Sequence, residues 1–312
     1  MNSATVAPRT RARRGHRPDP SGPTMAGRVR KQLTSRAASL VALLIGIMWT
    51  LPTLGLLVSS FRPSLKIRTS GWWTAFNPDD MEFTTRNYTD VLFGETGDLS
   101  QYFLNSLVIT VPSVLFPIFF GAIAAYALSW MKWRGRDWVF IGIFALQVVP
   151  LQMCLIPLLE MFSSFGLEGT DRFVTVWLAH TMFALPLCIF LLHNFMSELP
   201  GELFEAARVD GADHSRIFRS IALPLIIPAL ASFGIFQFLW VWNDLLVGMV
   251  FAGGTPDTGP LTAALAELAG TRGTQWQRLT AGAFVSLVVP MAVFLSLQRY
   301  FIRGLLAGGL KG

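Results

Sequence analysis

Glu205-Ala206-Ala207-Arg208-Val209-Asp210-Gly211, continued to Ile221-Ala222-Leu223-Pro224, is a polar stretch set between two long apolar runs. It reads as two short helices broken at a glycine. Pro200 suits the first turn of the first helix, where its missing N–H has no partner in any case. Leu203, Phe204 and Ala207 then share one face, at spacings of one and four. Asp210-Gly211 ends that helix, with glycine free to take a left-handed cap. Asp213 is placed to cap the second helix, and Pro224 marks where the chain turns into the next apolar run. Ala206 and Ala207 make a flat strip on which another protein's surface can sit closely. Glu205 and Asp210 offer that surface negative charge.

The apolar runs set the class. The chain is 52% hydrophobic and 14% charged, with a mean hydropathy of +0.49, whereas a soluble chain carries about a quarter charged residues. Residues 37–60 contain no charge for 24 positions, enough at about 1.5 Å rise per residue to cross a hydrocarbon core of roughly 30 Å. Five further candidate spans follow at about 103–130, 138–162, 173–196, 230–251 and 279–302. The expected architecture is an all-α polytopic membrane protein with six transmembrane helices and both ends on one side. Cys154 and Cys188 lie inside apolar runs and read as buried, inert thiols, because a metal site needs clustered ligands.

Residues 1–36 form an arm rich in Arg, Pro, Ser and Gly, with nine basic residues and only Asp19 acidic. The arm therefore carries +8 and the other 276 residues −2, for the overall +6. A disordered cytoplasmic topology anchor, a lipid-binding segment and a nucleic-acid-binding tail are three readings of it. The first is preferred, since positive charge beside a first span fixes orientation, and no nucleic-acid partner is expected. Sorting basic residues by alternate loops puts 18 on the side of the N-terminus and 7 on the other, so the N-terminus is expected inside. Arg62, Lys66 and Arg68 after the first span run against this. In the long outer loop, Trp72-Trp73 reads as an interfacial anchor or as a contact for an external partner. The outer loop 252–278, rich in Gly and Thr, fits a mobile probe or a plain connector.

Polar residues within the spans mark possible pathway positions. Asp244, beside Asn243 and close to Trp240, falls in the outer half of the fifth span. A charge there costs about 2.5–3.5 kcal/mol on insertion scales, so it should face a cavity or a partner and not lipid. It is either a wall of a solute pathway or a helix-packing group. Gln147 and Gln152, flanking Pro150, and Gln237 are further candidates of this kind. His180 and His193 show no partner pattern for metal or proton relay and are assigned to packing. The chain has no Gly-x-x-x-x-Gly-Lys-[Ser/Thr], Gly-x-Ser-x-Gly or His-Glu-x-x-His. No catalytic site, metal or bound cofactor is expected, and any ATP hydrolysis falls to another subunit.

Glu205-Ala206-Ala207, Gly211, Ile221 and Leu223-Pro224 stand at the spacing of the EAA loop in permease subunits of ABC importers. Asn105-Ser106-Leu107, Tyr126-Ala127-Leu128-Ser129, Trp242-Asn243-Asp244 and Gln298-Arg299-Tyr300-Phe301 agree with it. Over roughly residues 36–312 the chain resembles the short-tailed permease of maltose-type carbohydrate importers. Trp177-Leu178-Ala179-His180, 238–244 and 279–286 look like the α-glucoside branch of that family. The resemblance implies a MetI-like importer-permease core in 37–312, with an ATPase-coupling loop over 197–224 and a cytoplasmic tail over 303–312 at the ATPase interface. It assigns coupling to Glu205, Ala206, Ala207, Asp210, Gly211, Ile221, Leu223 and Pro224. It also implies a second permease, ABC ATPase subunits that bind the ATP and Mg, and an extracytoplasmic sugar-binding protein. The competing class is a proton-coupled secondary carrier using Asp244, which predicts internal repeats and more membrane acids than are seen.

The orientation is testable directly. Reporter fusions at Gly94 and Gly211 should report outside and inside respectively, and the reverse pattern would remove the topology.

Overall fold

A computed structural model of the chain describes residues 36–94, 98–167, 172–271 and 273–309, with side chains between 38 and 298. The basic arm before Arg36 and the last three residues of the expected tail lie outside these. Among the described residues the regular elements are helices, with no strand. Two compact units divide between Leu54 and Gly55. The first ends within helix α1 (Arg36–Ser60), whose apolar side chains are turned outward, Trp49 being 80% exposed.

The second unit contains α2 (Ser64–Thr69), α3 (Arg86–Phe93), α4 (Leu99–Trp130), α5 (Arg136–Leu146), α6 (Leu151–Ser164) and α7 (Arg172–Ser197). After these come α8 (Gly201–Val209), α9 (His214–Leu225), α10 (Ile227–Trp242), α11 (Leu246–Phe251), α12 (Leu261–Gly270) and α13 (Trp276–Gly309). Packing centres on α4 and α7. A Cβ added at Gly121 would lie 2.5 Å from the Cys188 sulfur, so the two helices approach as closely as small residues allow. Cys188 is fully buried there and its thiol donates to the Pro117 carbonyl, in keeping with a packing role.

Four helices are long and apolar enough to cross a membrane uninterrupted: Ala38–Ser60, Leu99–Trp130, Arg172–Ser197 and Trp276–Gln298. The expected third span is not straight, because α5 and α6 meet at 104°; just before the expected fifth span, α9 and α10 meet at 70°. The first break follows from Pro150, which lacks the N–H that would bond the Leu146 carbonyl and drives its predecessor out of helical geometry. Residues 147–149 close instead in tight three-residue bonds, Val149 N–H to the Leu146 carbonyl among them at 3.2 Å. The second bend falls at Ile226 and not at Pro224, which lies inside α9. A π turn at Phe218–Ala222 accommodates the proline, with the Leu223 N–H reaching back five residues to Phe218. The fifth span also stops at Trp242, and α11 begins only at Leu246, so Asp244 sits at a junction between helices.

Prolines inside the long helices leave carbonyls that hydrocarbon cannot satisfy. Pro112 frees the Val108 carbonyl, and Trp177 Nε1 of α7 donates to it at 2.8 Å. Pro117 frees the Ser113 carbonyl, which Gln237 Nε2 of α10 reaches at 3.3 Å. Pro290 frees the Ser286 carbonyl, and Trp242 Nε1 donates to it at 3.0 Å. Each backbone defect thereby becomes a cross-link between helices.

The segments that follow α1 and α11 are tied down. Arg62 is fully buried and donates to the Gly71 carbonyl, Ser70 and Thr74, while Asn87 Nδ2 bonds the Ser60 and Arg62 carbonyls. Lys66 pairs with Asp80 at 2.8 Å and holds that carboxyl below its ordinary value. Two of the three cations that argued against the topology are thus engaged within the protein. Trp72 packs on Gly55, whereas Trp73 is 65% exposed. The loop after α11 is pinned to α4, where Asn105 donates to Pro256 and Gly259, Tyr102 to Gly254, and Ser106 accepts from Leu261. Its composition fitted a mobile probe or a plain connector; these hydrogen bonds favour the connector, which leads into α12.

The proline accounting predicts a rescue. Trp177→Phe keeps the ring but removes the donor, and should cost about 1–3 kcal/mol of stability. Adding Pro112→Ala restores the missing N–H and should recover most of the loss in thermal melts of the solubilised protein. A melting temperature unchanged by Trp177→Phe, or no rescue, would refute it.

Candidate functional site

Two places collect the residues singled out in the sequence. The first is the α8–α9 elbow. Pro200 is the N-cap of α8 rather than its first helical residue. Asp210 closes the helix, and Gly211 takes φ +79°. The Gly211 N–H bonds the Arg208 carbonyl at 3.0 Å and the Ala212 N–H bonds the Ala207 carbonyl at 2.9 Å, the paired pattern of a Schellman cap. Asp213 then caps α9, accepting from the Arg216 N–H at 2.8 Å. Nothing lies within 4 Å of a Cβ built at Gly211, so its requirement is conformational and not spatial.

The elbow is seated by aromatic residues, and of these the sequence reading did not single out Trp130 or His214. Phe204 is fully buried and stacks on Trp130 with centroids 3.6 Å apart and planes 11° apart. Trp130 Nε1 donates to the Met196 carbonyl, and Arg208 donates to the Trp130 carbonyl. The Tyr126 hydroxyl lies 3.0 Å from His214 Nδ1. The expected common face of α8 is therefore wrong in one member: Leu203 is 45% exposed, because it lies off the side that Phe204 turns to Trp130.

The motif residues divide into two groups. Glu205, Ala206, Asp210, Gly211 and Pro224 are exposed. Ala207, Ile221 and Leu223 are half-buried and pack against the core around Phe204, Ala222 and Ile226. The alanine strip is thus one residue wide outward, with Ala207 turned partly in. Val209, 88% exposed, adds an apolar knob beside the charges.

The second place is a cavity of about 830 Å³ between the α5–α6 break, α7, α10 and the α10–α11 junction. All six tentative pathway residues, Gln147, Gln152, Gln237, Trp240, Asn243 and Asp244, line it. The helix breaks bring them together. Three of them also carry packing bonds: Gln237 holds the Ser113 carbonyl, Asn243 donates to the Leu239 carbonyl, and the Asp244 carboxylate accepts from the Gly248 N–H at 2.8 Å as a cap on α11. His180, assigned to packing in the sequence, also lines the cavity. It is 2% exposed, and its Nε2 lies 3.8 Å from Asp244 with no hydrogen-bond partner. Nothing in the sequence joins two residues 64 positions apart, one on α7 and one at the α10–α11 junction, so this pair was not visible there.

Comparison with known proteins bears on the whole chain. Residues 117–306 match the family described as binding-protein-dependent transport system inner membrane component. The osmoprotective compounds uptake permease protein GgtD of Synechocystis sp. is 52% identical over 271 residues, covering 86% of this chain and 90% of that protein. The alpha-glucoside transport system permease protein AglG of Rhizobium meliloti is 39% identical, covering 88% of this chain and 97% of that protein. A chain from the crystal structure of a bacterial ABC transporter involved in the import of the acidic polysaccharide alginate superposes with a TM-score of 0.69 at 21% identity. That superposition covers 89% of this chain and 98% of the other, and it supports the fold.

The Schellman cap makes Gly211 separable from its neighbours. Gly211→Val should cost about 1–2 kcal/mol at the elbow, a factor of roughly 5–30 in its opening. Gly211→Asn, which tolerates the left-handed region, should cost much less. Trypsin cleavage after Arg208 and Arg216 in the solubilised protein measures this. Equal cleavage of the Val, Asn and wild-type forms would contradict it.

Proposed function

Given that the chain belongs to the family of binding-protein-dependent transport system inner membrane components, we propose that it forms half of the translocation pathway of an ATP-driven carbohydrate importer. Its substrate class is an α-glucoside or a related neutral oligosaccharide. The exposed Glu205–Gly211 elbow, clamped from beneath by the Phe204–Trp130 stack, is the observation that carries this reading. A rigidly held, charged protrusion suits the docking of a motor subunit. AglG supports the solute class, and nothing supports the proton-coupled alternative.

The proposed partners are a second permease, ABC ATPase subunits and an extracytoplasmic sugar-binding protein. A solved relative, the bacterial alginate ABC transporter, is in complex with a periplasmic protein bound to an alginate pentasaccharide, which favours the last of these. ATP and Mg belong to the ATPase subunits, and this chain performs no hydrolysis. Both termini lie in the cytoplasm, with the elbow, so that the +8 arm and the motor share one side. Glu205 and Asp210 meet basic groups of the ATPase, with Ala206 as the close contact. Ile221, Leu223 and Ala207 transmit force, since they are held in the core and not offered to the partner. Motion of α8 passes through Trp130 to α4 and through Ile226 to α10, which carries Trp240 to the cavity wall.

Glu205→Lys reverses one interfacial charge. Loss of a desolvated charge pair is worth about 2–5 kcal/mol, so co-purification of the ATPase and sugar uptake in reconstituted vesicles should both fall more than tenfold. Normal co-purification and normal uptake would make the elbow an ordinary solvated loop.

A further inference from the structure

We propose that the turn between α4 and α5 holds the headgroup of an anionic phospholipid, with an acyl chain laid along one face of α5. The site lies outside both the elbow and the cavity, and it does not depend on which solute is carried.

The turn presents charge. α4 ends at Trp130, Met131 leaves it in an extended conformation, and Gly135 takes φ +88° at the start of α5. Lys132, Trp133, Arg136, Asp137 and Trp138 line an open pocket of about 550 Å³ there. Residues 131–138 hold three cations, Lys132, Arg134 and Arg136, against one acid, Asp137, a balance of +2. The acid is engaged within the turn, since it pairs with Arg136 at 3.1 Å. Lys132 and Arg134 are exposed and make no ion pair among the described residues.

Exposed cations alone mark any surface. What sets this turn apart is the apolar surface joined to them. Trp138 is 79% exposed, and Trp133, tied by its Nε1 to the Ala127 carbonyl, is 43% exposed. No residue of α5 is buried, and Trp138, Ile141 and Phe144 make an exposed stripe at intervals of three. That stripe starts at the cations and runs about 9 Å along the helix. α5 is the first half of a bent span, so the turn lies at a span end, where tryptophan and basic residues meet lipid headgroups. The matching ligand has an anion at one end and hydrocarbon at the other. Free phosphate would leave the indole and the stripe bare. A protein docked for charge is better served by the elbow, whose exposed Glu205 and Asp210 carry the opposite sign. The turn begins one residue after Trp130, so the headgroup site adjoins the residue that seats Phe204.

Photocrosslinking in the assembled complex tests the site. Trp138→benzoylphenylalanine, in nanodiscs of equal parts dioleoylphosphatidylglycerol and dioleoylphosphatidylcholine, reports its neighbours through mass spectrometry of the adducts. The anionic lipid should be labelled in excess by about fivefold or more, the effect of one well-placed cation near a membrane surface. Adding Lys132→Gln and Arg134→Gln should bring the two lipids to equality. Arg13→Gln with Arg14→Gln, which removes the same charge from the arm, should leave the excess intact. Millimolar glycerol 3-phosphate should leave it intact as well, because the stripe engages only a lipid. Trp133→benzoylphenylalanine gives the same reading should the first variant fail to assemble. Equal labelling of the two lipids, or an excess that survives Lys132→Gln with Arg134→Gln, would overturn the proposal. An excess lost equally in the arm variant would make the effect one of net charge, and one lost to glycerol 3-phosphate would make the turn a soluble-anion site. Adducts chiefly with the ATPase or the second permease would make it a protein interface, and each of these three results refutes the lipid site.

Discussion

Hydrocarbon offers no water to a stray carbonyl, and that constraint organises this molecule more than hydropathy does. Pro112, Pro117 and Pro290 each remove an N–H from a long helix. Trp177, Gln237 and Trp242 supply the missing donors from α7 and α10. The bonds fix α4, α7, α10 and α13 at set heights against one another, as apolar packing alone does not, since lipid tails are as apolar as leucine. At two other prolines the backbone itself changes. Pro150 breaks α5 from α6, and Pro224 is absorbed by a π turn.

The cavity is a consequence of those breaks. α5 and α6 have 11 and 14 residues, each too short for a core of roughly 30 Å. Their 104° bend opens the space that Gln147 and Gln152 face. The α10–α11 junction does the same on the other wall, leaving Asn243 and Asp244 outside regular helix. Irregular backbone at membrane depth is tolerable only where protein or a cavity receives its polar groups. Asp244 meets that condition twice, through the Gly248 N–H and through the cavity.

What the sequence disclosed followed the range of the interactions involved. The elbow was legible because its devices are local: Asp210-Gly211 for the Schellman cap and Asp213 for the next N-cap act within five residues. The spans were legible as apolar runs, but 138–162 and 230–251 read as continuous because hydropathy averages over a bend. Asp244 stood out as a charge in an apolar run, and the polar residues around Pro150 joined it through tertiary folding. His180 did not stand out, since an unpaired imidazole is defined by what surrounds it. The same limit explains Leu203, whose face is set by Trp130 at the end of another helix. The composition of the loop after α11 left a probe and a connector equally open, and the choice lies with Asn105, 151 to 154 residues earlier.

The elbow and the cavity share α10, and that continuity decides how a displacement at one is felt at the other. Its 16 residues span about 24 Å at 1.5 Å per residue. Its first end leaves the bend at Ile226, and Ile226, Ala222 and Ala229 are almost fully buried. A bend enclosed by packed side chains cannot flex freely, because interiors have discrete arrangements and not continuous ones. Its other end carries Trp240 into the cavity and leads to Asp244, while the Trp242–Ser286 bond links it to α13. Movement of α8 against Trp130 must therefore either repack the Phe204–Ile226 core or carry α10 with it. In the proposed importer the second course is the less costly, since it preserves the buried core and moves only the wall that the solute touches. The anchoring residues Ile221 and Leu223 matter for that reason: they keep the elbow and the helix beyond it one mechanical piece.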